Sequence, residues 1–167
     1  YNVYINTGSD KLIRDMWDNI ILYMGYFERM SIDGIADFGL ADWMPVREPS
    51  CPRVVTDTAY LYADLTMMSE MAEIIGESSE MWKEKAETVK QAWRDRFLHD
   101  AELEGYQTFY ACAVYQGLLD GDENTKASER LARLVEENDY HIGCGMLGTK
   151  YIFTVLSEYG YMDTLYK

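Results

Sequence analysis

Helical stretches with charge on one face alternate along this chain with stretches that carry almost none. Hydrophobic period and punctuation predict six helices. The first runs over about 10–29 behind a Ser9 cap, with Ile13, Trp17, Ile20, Met24 and Phe27 on one face. The second covers about 54–75, carries Leu61, Leu65, Met68 and Ala72, and stops at Gly76. The third follows Ser79 and keeps Trp82, Ala86, Val89, Trp93 and Phe97 in line to about 97. The fifth follows an Asp122 cap, turns Ala127, Leu131 and Val135 inward, and ends near Asn138. Both the third and the fifth are studded with Lys, Arg and Glu, as helices with one wet face are. The fourth, "QTFYACAVYQGL" at about 107–118, has no charged residue. The sixth, about 145–159, has only Lys150 and Glu158 among Leu147, Tyr151, Ile152, Val155 and Leu156. Such helices are buried on both sides. The order outer, inner, outer, inner, outer, inner predicts an all-α double ring, an α/α toroid or part of one.

The connections agree with this order. Inner-to-outer links are short, around 76–78, 119–122 and 160–162, while outer-to-inner links at 30–53, 98–106 and 138–144 are longer. Alternation gathers the long loops at one end, where the inner helices begin. Long loops in compact domains tend to be functional. The chain opens on Tyr1 rather than Met, and "MDTLYK" offers Asp163 as the cap of a further helix. Residues 1–167 are therefore expected to be one segment of a single larger domain, truncated at both ends. An open half-ring would expose apolar faces, so the rest of its own domain is an expected partner, as is self-association.

The charge balance narrows the partners. With 15 basic and 29 acidic residues the net charge is −14, which opposes phosphate backbones and anionic lipid. No nucleic acid and no membrane partner is expected, and no apolar run reaches the roughly 18 residues of a span. Cys51, Cys112 and Cys144 are widely spaced, without a CxxC, and read as reduced buried thiols. His99 and His141 lie far apart, and neither phosphate-loop, dinucleotide nor metalloprotease signatures occur, so neither metal nor cofactor is expected.

The longest loop contains "ADFGLADWMP" (36–45), where Asp42 and Trp43 stand side by side. An indole face stacks on the C–H face of a pyranose, and a carboxylate accepts hydrogen bonds from neighbouring hydroxyls. The alternative is structural: Trp43 plugging the ring's mouth and Asp42 capping a turn. His141, in "YHIGCG", and Gln107, after Tyr106, are further candidates for substrate binding, against roles as a bonded structural histidine and a helix cap. Gly143 and Gly145 permit close backbone approach to a ligand, or a tight turn. Asp57 and Asp64 share a helical face, with a solvated or paired role as the default.

The succession "GLADWMP", "VVTDTAYLYADLTMMSEMAEIIG", "MWKEKAETVKQAWRDRFL", "GYQTFYACAVYQGLL" and "ASERLARLVEENDYHIGCGMLGTKYIFTVLSEYGYMDTLY" resembles bacterial α-L-rhamnosidases of glycoside hydrolase family 78 over nearly the whole chain. The resemblance implies an (α/α)6 barrel and hydrolysis of terminal α-L-rhamnose with inversion, using a general acid and a general base about 6.5–9.5 Å apart. It also implies where those groups lie. The family's acid is a glutamate in a Cys-Pro-x-Arg-x-Glu motif followed by Gly-Trp-x-Gly-Asp, expected before Tyr1; its base is in a Thr-x-Trp-Glu motif, expected after Lys167. Neither occurs here, and "CPR" at 51–53 is followed by the wrong residues. The segment by itself is therefore expected to be inactive, with no catalytic residue of its own. The family's Gly-Asp-Trp stands here as Ala41-Asp42-Trp43, so the aspartate and tryptophan carry over as sugar-binding wall and the turn glycine does not.

Two other readings remain at this level. One is another six-hairpin glycosidase with a different terminal sugar. The other is a helical-repeat interaction module, against which the glycine stops at 76, 121 and 160 are unevenly spaced, where tetratricopeptide repeats keep a fixed period of about 34 residues.

Overall fold

The computed structural model describes residues 1–46 and 50–167. Among these lie α1 (Asn2–Thr7), α2 (Lys11–Met30), α3 (Arg53–Ile75), α4 (Glu80–Phe97), α5 (Gln107–Tyr115), α6 (Asp122–Glu137), α7 (Met146–Glu158) and α8 (Met162–Leu165), with a 3₁₀ turn at Ala101–Leu103. The helices α2 to α7 are the six expected from sequence. Short α1 has no sequence signal, because Val3, Ile5 and Thr7 are β-branched and it buries no residue to mark a period.

The structure corrects three expected caps. Asp10, not Ser9, precedes α2, and its carboxylate accepts from Arg14 Nε at 2.8 Å instead of from the backbone. Gly121, at φ 48°, is the residue before α6, so Asp122 is its first helical residue. Asp163 lies inside α8.

Packing follows the predicted alternation. Helix α3 packs on α4, α5 packs on both α6 and α7, α3 touches α5, and α2 lies on α3. The charge-poor α5 and α7, with α3 of intermediate charge, form the inner layer; α2, α4 and α6 lie outside. Helix α4 buries the whole expected stripe of Trp82, Ala86, Val89, Trp93 and Phe97. Trp93 joins three helices: its indole N–H donates to the Val55 carbonyl at 3.0 Å and its ring stacks on Phe109 at 5.5 Å. Truncating so buried an indole costs about 3–5 kcal/mol in comparable cores. Arg94 forks onto Glu123 at 2.8 and 2.9 Å and donates to the Leu118 carbonyl at 3.0 Å, tying α4 to the α5–α6 connection.

Helix α2 buries only Ile13 and Met24, and leaves Leu12, Met16, Leu22, Tyr23 and Tyr26 exposed. A second apolar face is therefore uncovered on this helix. All three cysteines are buried with free thiols, and burial pushes Cys112 and Cys144 up to about 12. No helix among the described residues is long and apolar enough to cross a membrane.

Candidate functional site

The N-terminal ends of α3, α5 and α7 meet the long loops at one end of the molecule, and a single carboxylate organises the junction. Helix α7 begins after Gly145, which has no side chain to satisfy the first free N–H groups. Asp42, 2% exposed, supplies the missing acceptor from the distant loop. Its Oδ2 accepts from Gly145 N–H at 2.7 Å, and its Oδ1 from Leu147 and Gly148 N–H at 3.0 Å each. The Thr108 hydroxyl on α5 also donates to Oδ2. A carboxylate has about four acceptor sites, and all are taken. The helix N-terminus adds favourable charge–dipole interaction. Asp42 thus does not face solvent as a sugar acceptor, as expected from sequence; burial and full satisfaction make it a cap for α7.

Backbone contacts extend this junction. Met146 N–H donates to the Trp43 carbonyl at 2.9 Å, so the loop lies directly against the start of α7. A Cβ at Gly145 would stand 2.3 Å from the Asp42 carbonyl oxygen and 2.6 Å from that of Trp43. The close approach this glycine permits is to the chain's own backbone, not to a ligand as expected. The loop bends sharply on either side of the anchored pair: Ala41 has φ 59° and Met44 φ 56°, the left-handed region that a Cβ disfavours. Ala41 stands where the family pattern has glycine. The Trp43 side chain itself is 55% exposed.

Gln107 is buried and also spent on the protein. Its Nε2 donates to the carbonyls of Leu134 at 3.3 Å and His141 at 3.2 Å, and its Oε1 accepts from Gly143 N–H at 2.8 Å. It ties the start of α5 to the end of α6 and to the 138–144 loop, and makes no cap of its own helix. His141 is exposed, with Nδ1 2.7 Å from the Asp139 carbonyl. A carbonyl only accepts, so Nδ1 is the donor in this contact. Through Thr108 and Gln107, adjacent on α5, the Asp42–Trp43 and 140–145 loops share one polar framework. Of the four expected site residues, two build this framework and two, Trp43 and His141, present exposed rings.

Two clefts open near these loops. One, about 480 Å³, is lined by Tyr106, Gln107, Thr108, Glu102, Glu137 and Gly143. The other, about 440 Å³, lies between α2, α3 and the 38–41 loop, with Tyr23, Tyr26, Phe27, Phe38 and Tyr60 around Asp57 and Asp64. Burial raises Asp64 to about 6. Burial likewise raises Asp57, opposed by backbone N–H donors from Gly39, Ala41 and Phe38 and by the Arg53 charge. Aromatic faces beside carboxylates suit a neutral, hydroxyl-bearing ring. Sequence reading passed over Thr108 as the partner of Asp42 because the two are 66 positions apart.

The whole chain, residues 1–167, matches the family model of the bacterial alpha-L-rhamnosidase 6 hairpin glycosidase domain. An alpha-L-rhamnosidase of Streptomyces avermitilis is 26% identical over 99% of this chain and 16% of its own length. One from Formosa agariphila is 29% identical over 100% of this chain and 19% of its own length. The chain therefore spans about a sixth to a fifth of these relatives. In three dimensions it is similar to the crystal structure of the Streptomyces avermitilis alpha-L-rhamnosidase complexed with L-rhamnose, with a TM-score of 0.87 and 23% identity over 95% of this chain and 16% of that one. It is also similar to a native α-L-rhamnosidase from Aspergillus terreus, with a TM-score of 0.84 and 22% identity over 95% of this chain and 20% of that one.

Proposed function

Because the chain belongs to the bacterial α-L-rhamnosidase six-hairpin glycosidase family, we propose that the protein carrying it releases terminal α-L-rhamnose from glycosides with inversion, and that residues 1–167 supply scaffold and part of the sugar-binding wall. The general acid and base belong to segments outside this chain, as neither glutamate motif occurs between Tyr1 and Lys167. The uncovered apolar face of α2 fits the rest of the same domain, whose further hairpins would close the ring. Within the segment, Trp43 is the sugar-contacting residue, and Asp42 and Gln107 hold the loops that present Trp43 and His141.

One observation carries this reading: a large indole stands 55% exposed on a loop whose backbone is fixed from beneath by a fully satisfied carboxylate. Exposed aromatic rings held rigidly have little ordering entropy left to lose on binding. By analogy with stacking on nucleic-acid bases, an aromatic platform contributes about 1–3 kcal/mol. Trp43→Ala in the whole protein is therefore expected to raise KM for an aryl α-L-rhamnoside roughly 5- to 100-fold. Its melting temperature should hardly move, since an exposed side chain is lost. An unchanged KM with a large fall in Tm would refute the sugar contact and restore a structural role for this indole.

A further inference from the structure

Asp57 lies near the start of α3, four residues after Arg53, and its side chain faces the loop that carries Trp43. Its Oδ2 accepts from Phe38 N–H at 3.1 Å and from Gly39 N–H at 2.5 Å. Two successive loop N–H groups thus converge on one carboxylate oxygen, an arrangement suited to holding a negative charge. Arg53 stands 3.8 Å from the same oxygen and donates to Asp37 Oδ1 at 2.7 Å and to the Asp37 carbonyl at 3.1 Å. A Cβ at Gly39 would fall 2.6 Å from Asp57 Oδ1, so the loop closes on the carboxylate only because this position has no side chain.

The geometry places these bonds immediately before the indole. Ala41 is in the left-handed region, φ 59°, where a residue with a Cβ is disfavoured by about 1–2 kcal/mol. It lies two residues after Gly39, whose N–H is held by Asp57, and the next two residues are Asp42 and Trp43. The segment is therefore fixed twice, by Asp57 from α3 on the approach and by Asp42 against α7 at the indole itself. One anchor would leave the loop free to pivot; two anchors on different inner helices set its direction.

We propose that Asp57 is a positioning residue for sugar binding, acting through the bend at Ala41 on the orientation of the Trp43 indole. The proposal rests on the reading of Trp43 as the sugar-contacting residue. Steady-state kinetics of the whole protein with an aryl α-L-rhamnoside test it. Asp57→Asn keeps one carbonyl oxygen for the two N–H groups but loses the charge that strengthens both bonds and faces Arg53, and is expected to raise KM about 3- to 10-fold with kcat within about twofold. Gly39→Ala pushes a methyl group into the same contact from the loop side and should raise KM similarly, so the test stands if Asp57→Asn does not fold. In a Trp43→Ala background either change should add less than about twofold, since residues acting through one contact are non-additive. Full, additive KM effects in that background would overturn the proposal. So would an unchanged KM in both Asp57→Asn and Gly39→Ala when Trp43→Ala alone raises it, an outcome that leaves the Trp43 reading intact. A Trp43→Ala variant with wild-type KM would remove both.

Discussion

Replacing Asp42 with asparagine separates a buried cap from a sugar ligand more sharply than any other single change. The carboxylate receives two N–H groups at Oδ1, from Leu147 and Gly148, and one N–H plus the Thr108 hydroxyl at Oδ2. An asparagine placed in the same rotamer does least harm with its NH₂ in the Oδ2 position, because a hydroxyl can rotate to accept. The Gly145 N–H cannot rotate, so one hydrogen bond of 2.7 Å becomes a contact between two donors. A buried donor left without a partner costs about 1–3 kcal/mol. Loss of the negative charge at the start of α7 adds about 0.3–1 kcal/mol. Asp42→Asn is thus expected to destabilise its domain by about 2–3 kcal/mol, and Asp42→Ala by more, since all four donors then lose their acceptor. Urea denaturation of the whole protein, followed by far-UV circular dichroism, measures this as a lower midpoint at unchanged slope. If Asp42 instead faced the sugar, Asp42→Asn would leave the midpoint in place and act on KM alone. That result would refute the cap.

The remaining predictions concern the same end of the molecule. Gly145→Ala must displace the Asp42–Trp43 backbone, whose carbonyl oxygens would lie 2.3 and 2.6 Å from the new Cβ; a cost of about 1–3 kcal/mol and a raised KM are expected. Asp64, raised by burial from 3.8 to about 6, holds its proton in the folded state where the unfolded chain has lost it. Stability should therefore fall as pH rises from about 4 to 6 and stay lower above, and Asp64→Asn should flatten that part of the pH–stability curve.

The alternation of charge-poor and charged helices was legible because burial on one side or two acts on every turn of a helix. The stripe from Trp82 to Phe97 was read in full for that reason. Helix starts were read less well. Ser9, Asp122 and Asp163 all have the chemistry of a cap, but a cap depends on where one side chain points, and the structure gives the N-cap positions to Asp10, Gly121 and Tyr161. The candidate site was legible as a set of loops, not as a set of bonds. Asp42 and Gln107 were singled out as polar residues in the long loops, yet their partners lie up to 106 and 37 positions away, and no local pattern encodes such pairings. Asp57 was given only a solvated or paired role because its helical face is mixed, and what it binds is backbone, which carries no sequence identity.

The segment from Ala36 to Val46 owes much of its path to carboxylates that grip main-chain N–H groups, with Asp57 supplied from α3 and Asp42 turned inward onto α7. Leu40, Trp43, Met44 and Val46 display their side chains to solvent without shaping that path. Such a loop separates its form from its contents. Its outward positions can be randomised as a recognition surface while the two aspartates, Gly39 and Gly145 are kept, so the segment offers a natural place to graft new ligand preferences onto an unchanged helical frame.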